Sequence, residues 1–262
     1  MNYSSIRYAV AGGVAQLTLN RPERLNSFNA AMHAEVRDAL GRAAREGARV
    51  LVLTGAGRGF CAGQDLGDRA VAPGAGGADL GESIERNYKP LVLALRGLPM
   101  PVIAAVNGVA AGAGASIALA CDIVIATRSA TFVQAFCRLG LIPDSGATWL
   151  LPRLVGNARA LGLAMLGDKL GATEAADWGL IWRCVDDVDF PAAVDALAVQ
   201  LALAPTLALV RTRQAIQGAW QRTLEEQLDV ERDYQRELGW SADYAEGITA
   251  FTAKRAPRFC GR

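Results

Sequence analysis

Histidine is nearly absent from this chain: a single one, His33, occurs in 262 residues. A Ser-His-Asp relay would have to use it, yet it lies on a predicted helix, where packing or surface exposure is its expected role. No Gly-x-Ser-x-Gly elbow is present, and no Gly-Lys-Ser/Thr, so the α/β-hydrolase and phosphate-loop readings both fail. Gly112-x-Gly114 and Gly55-x-Gly57 are followed by Ile117 and Phe60 where a dinucleotide fingerprint needs its third small residue. That route closes too.

The five cysteines, Cys61, Cys121, Cys137, Cys184 and Cys260, are odd in number, scattered, and never spaced Cys-x-x-Cys. They suit small core hydrophobes in a reducing compartment, and they argue against a disulfide frame or a zinc site. An excess of one charge is also missing, with 27 basic against 26 acidic residues. No nucleic-acid footprint follows, and any phosphate must be held by local basic residues. The N-terminus, MNYSSIRYAV, lacks an apolar signal core, and no stretch approaches the ~18 apolar residues of a membrane helix. A cytoplasmic protein is expected, with no membrane or nucleic-acid partner.

What is present is strand followed by helix, repeated, which predicts an α/β fold with parallel strands. Val14 to Asn20 alternates apolar and polar residues and pairs as a hairpin with Arg7 to Val10 across Gly12-Gly13. Asn29 is placed to cap a helix with Met32, Val36 and Leu40 on one face. Val50 to Thr54 and Pro101 to Val106 read as buried strands, and Glu82 to Arg96 as a helix closed by Gly97 and Pro99. Residues 67–81 are rich in Gly, Ala and Pro, which suggests a mobile segment over a pocket or plain disorder. From Pro191 onward helical patterns take over.

The most informative stretch is 104–144. Asn107-Gly108 makes a turn, and Gly112-Ala113-Gly114, nearly without side chains, leads into an apolar helix. Backbone N–H groups at such a helix start suit an anion or a developing oxyanion. A second donor loop runs from Thr54 to Leu66. Two such loops leaving parallel strands would stabilise an enolate-like anion if their amides met on one carbonyl oxygen. Tight turns and close helix packing would explain the same glycines. Asp144 follows Leu141-Ile142-Pro143 as a lone carboxylate, either a general base or the cap of a helix starting at Ser145 or Gly146. An apolar setting formed by Phe136, Leu141 and Ile142 would favour the first role. Glu82 and Glu85 are reserve acids, and Phe132, Phe136 and Trp149 could flank an aromatic ring.

Four motifs together resemble the enoyl-CoA hydratase/isomerase (crotonase) superfamily: Arg21-Pro-Glu-Arg-Leu-Asn26, Phe60-Cys-Ala-Gly-Gln-Asp-Leu66, Val106-Asn-Gly-Val-Ala-Ala-Gly-Ala-Gly114 and Cys121-Asp-Ile. The resemblance implies a crotonase-like spiral of ββα turns over residues 1–200 and a C-terminal helical trimerisation region over 201–262. It implies an acyl-CoA substrate, no separate cofactor or metal, and a homotrimer or dimer of trimers. By residue match it assigns the oxyanion amides to Ala62 and Ala113, with Gly112 preparing the turn and Asp144 as acid/base. It places Arg24 and Leu25 along coenzyme A, Gln64, Asp65, Leu66 and Phe136 against the substrate, and Lys254, in a basic tail, near coenzyme A phosphate. The two glutamates used for hydration correspond to Ser116 and Phe136, neither of which is a carboxylate. Isomerisation needs only one.

Residues 63–69, 139–145 and 228–236 are most similar to the branch of the family that converts ring-1,2-epoxyphenylacetyl-CoA to its oxepin isomer. A fatty Δ3,Δ2-enoyl-CoA isomerase and a non-catalytic acyl-CoA-binding protein are the alternatives.

Overall fold

In the computed structural model, residues 3–65, 67 and 79–262 are described. β1 (Ile6–Ala11) turns at Gly12-Gly13 into β2 (Val14–Leu19), with Tyr8 opposite Leu17. Alternation has the expected result: Ala15, Leu17 and Leu19 are buried, while Gln16 and Thr18 stay half-exposed. Asn29 then accepts a hydrogen bond from the Met32 N–H and starts α1 (Ala30–Arg45), which buries Met32, Val36 and Leu40.

Next the chain winds in turns of two strands and a helix. The first turn holds β3 (Val50–Gly55), β4 (Gly59–Cys61), α2 (Leu80–Ser83), a π-helical turn (Ile84–Tyr88) and α3 (Lys89–Gly97). A second has β5 (Val102–Val106), β6 (Val109–Ala111) and α4 (Ala113–Ala120). The third has β7 (Ile123–Thr127), β8 (Thr131–Val133), a 3-10 turn (Ala135–Leu139) and α5 (Ala147–Leu166), which is bent at Gly156. β9 (Lys169–Gly171), α6 (Ala172–Asp177) and β10 (Arg183–Val185) close the spiral.

In each turn the longer strand joins a sheet ordered β1-β2-β3-β5-β7-β10 and the shorter one a sheet ordered β4-β6-β8-β9. From β2 to β10 the first sheet is parallel, and its central strands β3 and β5 are apolar on both faces. Leu51, Leu53, Val102 and Ala104 face the main core. Val50, Val52, Ile103 and Ile125 face α7 (Phe190–Ala202), whose Val194, Ala198 and Leu201 cover them.

The remaining helices are α8 (Thr206–Ala219), α9 (Leu224–Leu238) and α10 (Ala242–Thr252). α8 is tied to the sheet by Arg213, which bonds Asp122 and the Met100 carbonyl at 3.0 Å each and also reaches the Leu98 carbonyl. Burial pushes the Asp122 carboxyl up, and Arg213 pulls it the other way. Arg213→Ala leaves that carboxylate buried without its partner, so calorimetry should show a loss of about 3–5 kcal/mol. α9 starts with a Thr223–Glu226 capping box and buries none of its residues. Among the described residues, no single helix is long and apolar enough to cross a membrane.

His33 is buried, and neither ring nitrogen has a hydrogen-bond partner. Its ring packs 4.7 Å from Phe28 and edge-on 4.6 Å from Tyr88, centroid to centroid. Desolvation, helped by Arg37, pushes its pKa down to about 4. The unfolded chain therefore binds a proton below about pH 6.5 that the folded chain refuses until about pH 4. Stability is complete above that window and falls through it, by about 2 kcal/mol at pH 5. His33→Leu should flatten this part of a denaturant-midpoint-versus-pH curve.

Candidate active site

β6 hands the chain to α4 through Gly112, whose φ of +52° and ψ of −127° no residue with a Cβ adopts easily. Having no side chain, Gly112 offers α4 no cap, and the Ala113 N–H meets no acceptor among the described residues. Two residues on, a Cβ at Gly114 would run into the Cys61 carbonyl, so only glycine lets α4 lie directly on β4. This brings the loop after β4 to the helix start. The position a Gly63 Cβ would take is 3.0 Å from the Ala111 carbonyl oxygen and 3.3 Å from the Ala113 nitrogen.

The two loops therefore meet, but the amide on the first is not the expected one. Ala62 donates its N–H to the Leu25 carbonyl at 2.9 Å, which removes it from any ligand. Its neighbour supplies the alternative. Phe28 donates to the Gly63 carbonyl at 2.7 Å and accepts from the Asp65 N–H at 2.9 Å, bridging Gln64. In a parallel bridge of this kind the Gln64 N–H points away from Phe28, and it finds no acceptor among the described residues. The amide pair at this junction is Gln64 and Ala113.

Asp65, expected against the substrate, is instead a brace. Its carboxylate pairs with Arg21 at 2.7 Å and accepts from the Gly67 N–H at 3.0 Å, and the Arg21 bond holds it below the usual carboxylate range. Asn26, buried, ties the same region together by donating to the Ala56 and Gly59 carbonyls at 3.0 and 2.8 Å. Leu25 and Asn26 both adopt positive φ to make that turn, and Arg24 stands exposed beside it.

The other wall comes from the third turn. Phe136 lies over the junction of the two loops, its ring 3.7 Å from where a Gly112 Cβ would sit. The Leu141 N–H closes back on the Phe136 carbonyl at 3.0 Å. Asp144 follows, half-buried, and then Ser145 and Gly146 with φ of +54° and +87°. α5 begins at Ala147 with Gly146 as its N-cap, so Asp144 is not the N-cap residue. Ser145 donates its hydroxyl to Asp144 Oδ1 at 2.9 Å, and the left-handed pair turns the acid out of the helical path. Ile142, expected to enclose it, is 78% exposed, whereas Phe136 is buried and Leu141 half-buried.

Neither position matching a hydratase glutamate offers an acid. Ser116 is fully buried and donates within α4 to the Gly112 carbonyl at 3.2 Å. Glu82 and Glu85 form exposed pairs with Arg86 and Lys89. Phe132 is in the core, and the Trp149 ring lies 4.8 and 4.0 Å from the Arg96 and Arg153 guanidinium carbons in a cavity of about 490 Å³ lined also by Leu119 and Cys121, at the far end of α4. Leu66 and residues 68–78, most of the segment 67–81 expected over a pocket or in disorder, lie outside the described residues.

Lys254 stands exposed with a positive φ just after α10. The tail after it is pinned near the start of β3, where Arg49 bonds the Phe259 carbonyl at 2.7 Å and Asp243 accepts from the Cys260 and Gly261 N–H groups. The amide pair lies beyond the opposite end of β3.

Residues 9–262 match the family model described as enoyl-CoA hydratase/isomerase. The chain belongs to that family. It is 59% identical to the 1,2-epoxyphenylacetyl-CoA isomerase of Escherichia coli K12, over 97% of each chain. With the trans-2-decenoyl-[acyl-carrier-protein] isomerase of Streptococcus mutans it shares 33% over the whole of both. The crystal structure of an enoyl-CoA hydratase from Bacillus anthracis superposes with a TM-score of 0.90 at 33% identity, covering 99% of this chain and 100% of the other. Proteins described as hydratases and as isomerases thus share this family frame.

Proposed function

We propose that this family member isomerises a coenzyme A thioester, with ring-1,2-epoxyphenylacetyl-CoA as substrate and oxepin-CoA as product. The observation that carries the reading is the pair of unspent amides, Gln64 and Ala113, beside a segment that presents Asp144 with no glutamate at 116 or 136. The thioester oxygen accepts from both N–H groups at the positive end of α4, so charge developing on it is stabilised and the neighbouring C–H becomes more acidic. Asp144 takes that proton and returns it to a carbon two bonds away; one acid serves both steps. Ser145 fixes its orientation.

The ring expansion loses and gains no atoms, because a carbon–carbon bond of the epoxide opens into the seven-membered ring. Phe136 supplies an aromatic wall, Arg24 a cation for the coenzyme A phosphates, and no cofactor takes part. Leu228, Trp240, Ile248 and Phe251, all more than half exposed on one chain, pack against further copies in a trimer or dimer of trimers.

The 33% identity with a decenoyl isomerase supports a second reading, a fatty Δ3,Δ2-enoyl-CoA isomerase. Chromatographic assays of the purified protein on both acyl classes separate the two: the epoxide should turn over with the higher kcat/KM, and the reverse order would favour the fatty substrate. Crotonyl-CoA hydration should run at least ~100-fold slower than isomerisation, since the acid–base pair for splitting water is missing.

A further inference from the structure

Tyr88 lies on the helical segment opposite the amide loop, yet its hydroxyl ends on one of the two residues whose amides meet there. The phenol donates to Gln64 Oε1 at 2.7 Å from a ring that is completely buried. His33 stands edge-on to that ring at 4.6 Å between centroids, and Phe28 lies 6.3 Å away. Phe28 is also the residue whose backbone grips Gly63 and Asp65 on either side of Gln64. One aromatic cluster therefore holds the Gln64 peptide twice, through its main-chain neighbours and through its side chain.

The helix carrying Tyr88 is irregular at this point. Ile84–Tyr88 is a π-helical turn, with Tyr88 as its last residue. A π turn adds a residue to the helix, so it shifts the register by roughly 100° and gives poorer hydrogen bonds than an α turn. Such insertions recur where a side chain has to be aimed. Packing alone would not need the hydroxyl, because a phenylalanine would fill the same space between Phe28 and His33.

We propose that Tyr88 is a positioning residue for the reaction: by holding the Gln64 side chain it sets the angle at which the Gln64 N–H meets the thioester oxygen. This rests on the amide pair proposed above. Hydrogen bonds weaken steeply as the donor angle closes toward ~120°, so a tilted peptide loses much of its effect without leaving the site. The loss falls mainly on the transition state, where the oxygen carries most charge.

Tyr88→Phe removes the hydroxyl and keeps the ring. Its kcat should fall about tenfold with KM changed less than about twofold, the pattern of an interaction made in the transition state. A second readout follows the carbonyl itself: isotope-edited infrared spectra of phenylacetyl-CoA labelled with 13C at the thioester carbon. Binding to the wild-type protein should lower the carbonyl stretching frequency, and Tyr88→Phe should lose much of that shift while retaining the ligand. Gln64→Met, which keeps the length but removes the acceptor, should behave alike, and the double variant should be no worse than either single one. Full shift and full kcat in both variants, or effects that simply add, would overturn the role of Tyr88. Absence of any shift in the wild-type protein would instead sink the amide pair, and this inference with it.

Discussion

Asp144→Asn should lower kcat by ~10²–10⁴ while the dissociation constant for an acyl-CoA changes less than about twofold. The amide has the shape of the carboxylate, still accepts from Ser145, and leaves Phe136 and the two backbone donors in place. It cannot take a proton from carbon. Stopped-flow turnover paired with calorimetric binding checks both halves. A decrease of less than tenfold would move the base elsewhere, and unchanged function in a cell that needs the protein would favour a binding role without catalysis.

Ala113→Pro tests the other half of the site. Proline is tolerated at the first position of a helix, where the N–H has no intrahelical partner, and its ring removes the donor proposed for the thioester. The residue before it, Gly112, has no Cβ to clash with the ring. Loss of one oxyanion donor typically costs about 2.7–4 kcal/mol in the transition state, so kcat/KM should fall ~10²–10³-fold. Melting within a few degrees of the wild-type protein is the accompanying expectation. Retained turnover in the folded variant would mean that Ala113 gives no hydrogen bond to the reacting oxygen.

Strands and helices followed from local pattern wherever that pattern was long. The alternation from Val14, the apolar runs at Val50 and Val102, and the Asn29 cap all stand where periodicity placed them. β4, β6 and β9 have three residues each, too few for alternation to register, and they exist because neighbouring turns of the spiral offer them partners. The π turn at Ile84–Tyr88 has no composition signal either, and Glu82 to Arg96 reads as an ordinary helix.

At the site, sequence correctly pointed to the junction of two glycine-rich loops but not to the amide on the first. Ala62 and Gln64 look equally plausible in Cys61-Ala-Gly-Gln-Asp65, since peptide direction depends on which neighbour binds which group. Leu25 and Phe28, more than thirty residues upstream, decide it by taking the amides of Ala62 and Asp65. Arg21 similarly converts Asp65 from a candidate ligand into a brace, through a contact between loops that are far apart in sequence. Ser145 carried one readable hint: a non-glycine residue directly before Gly146 at a helix start, next to the only acid in its segment. Its positive φ was visible only in the fold.

The whole account can be examined in one crystal structure, that of the Asp144→Asn protein with an acyl-CoA bound. It predicts the thioester oxygen within about 3.1 Å of both the Gln64 and Ala113 nitrogens, with the residue 144 side chain against the acyl carbons next to the carbonyl. A thioester oxygen bonded elsewhere, or residue 144 turned out of the cavity that those amides line, would contradict it.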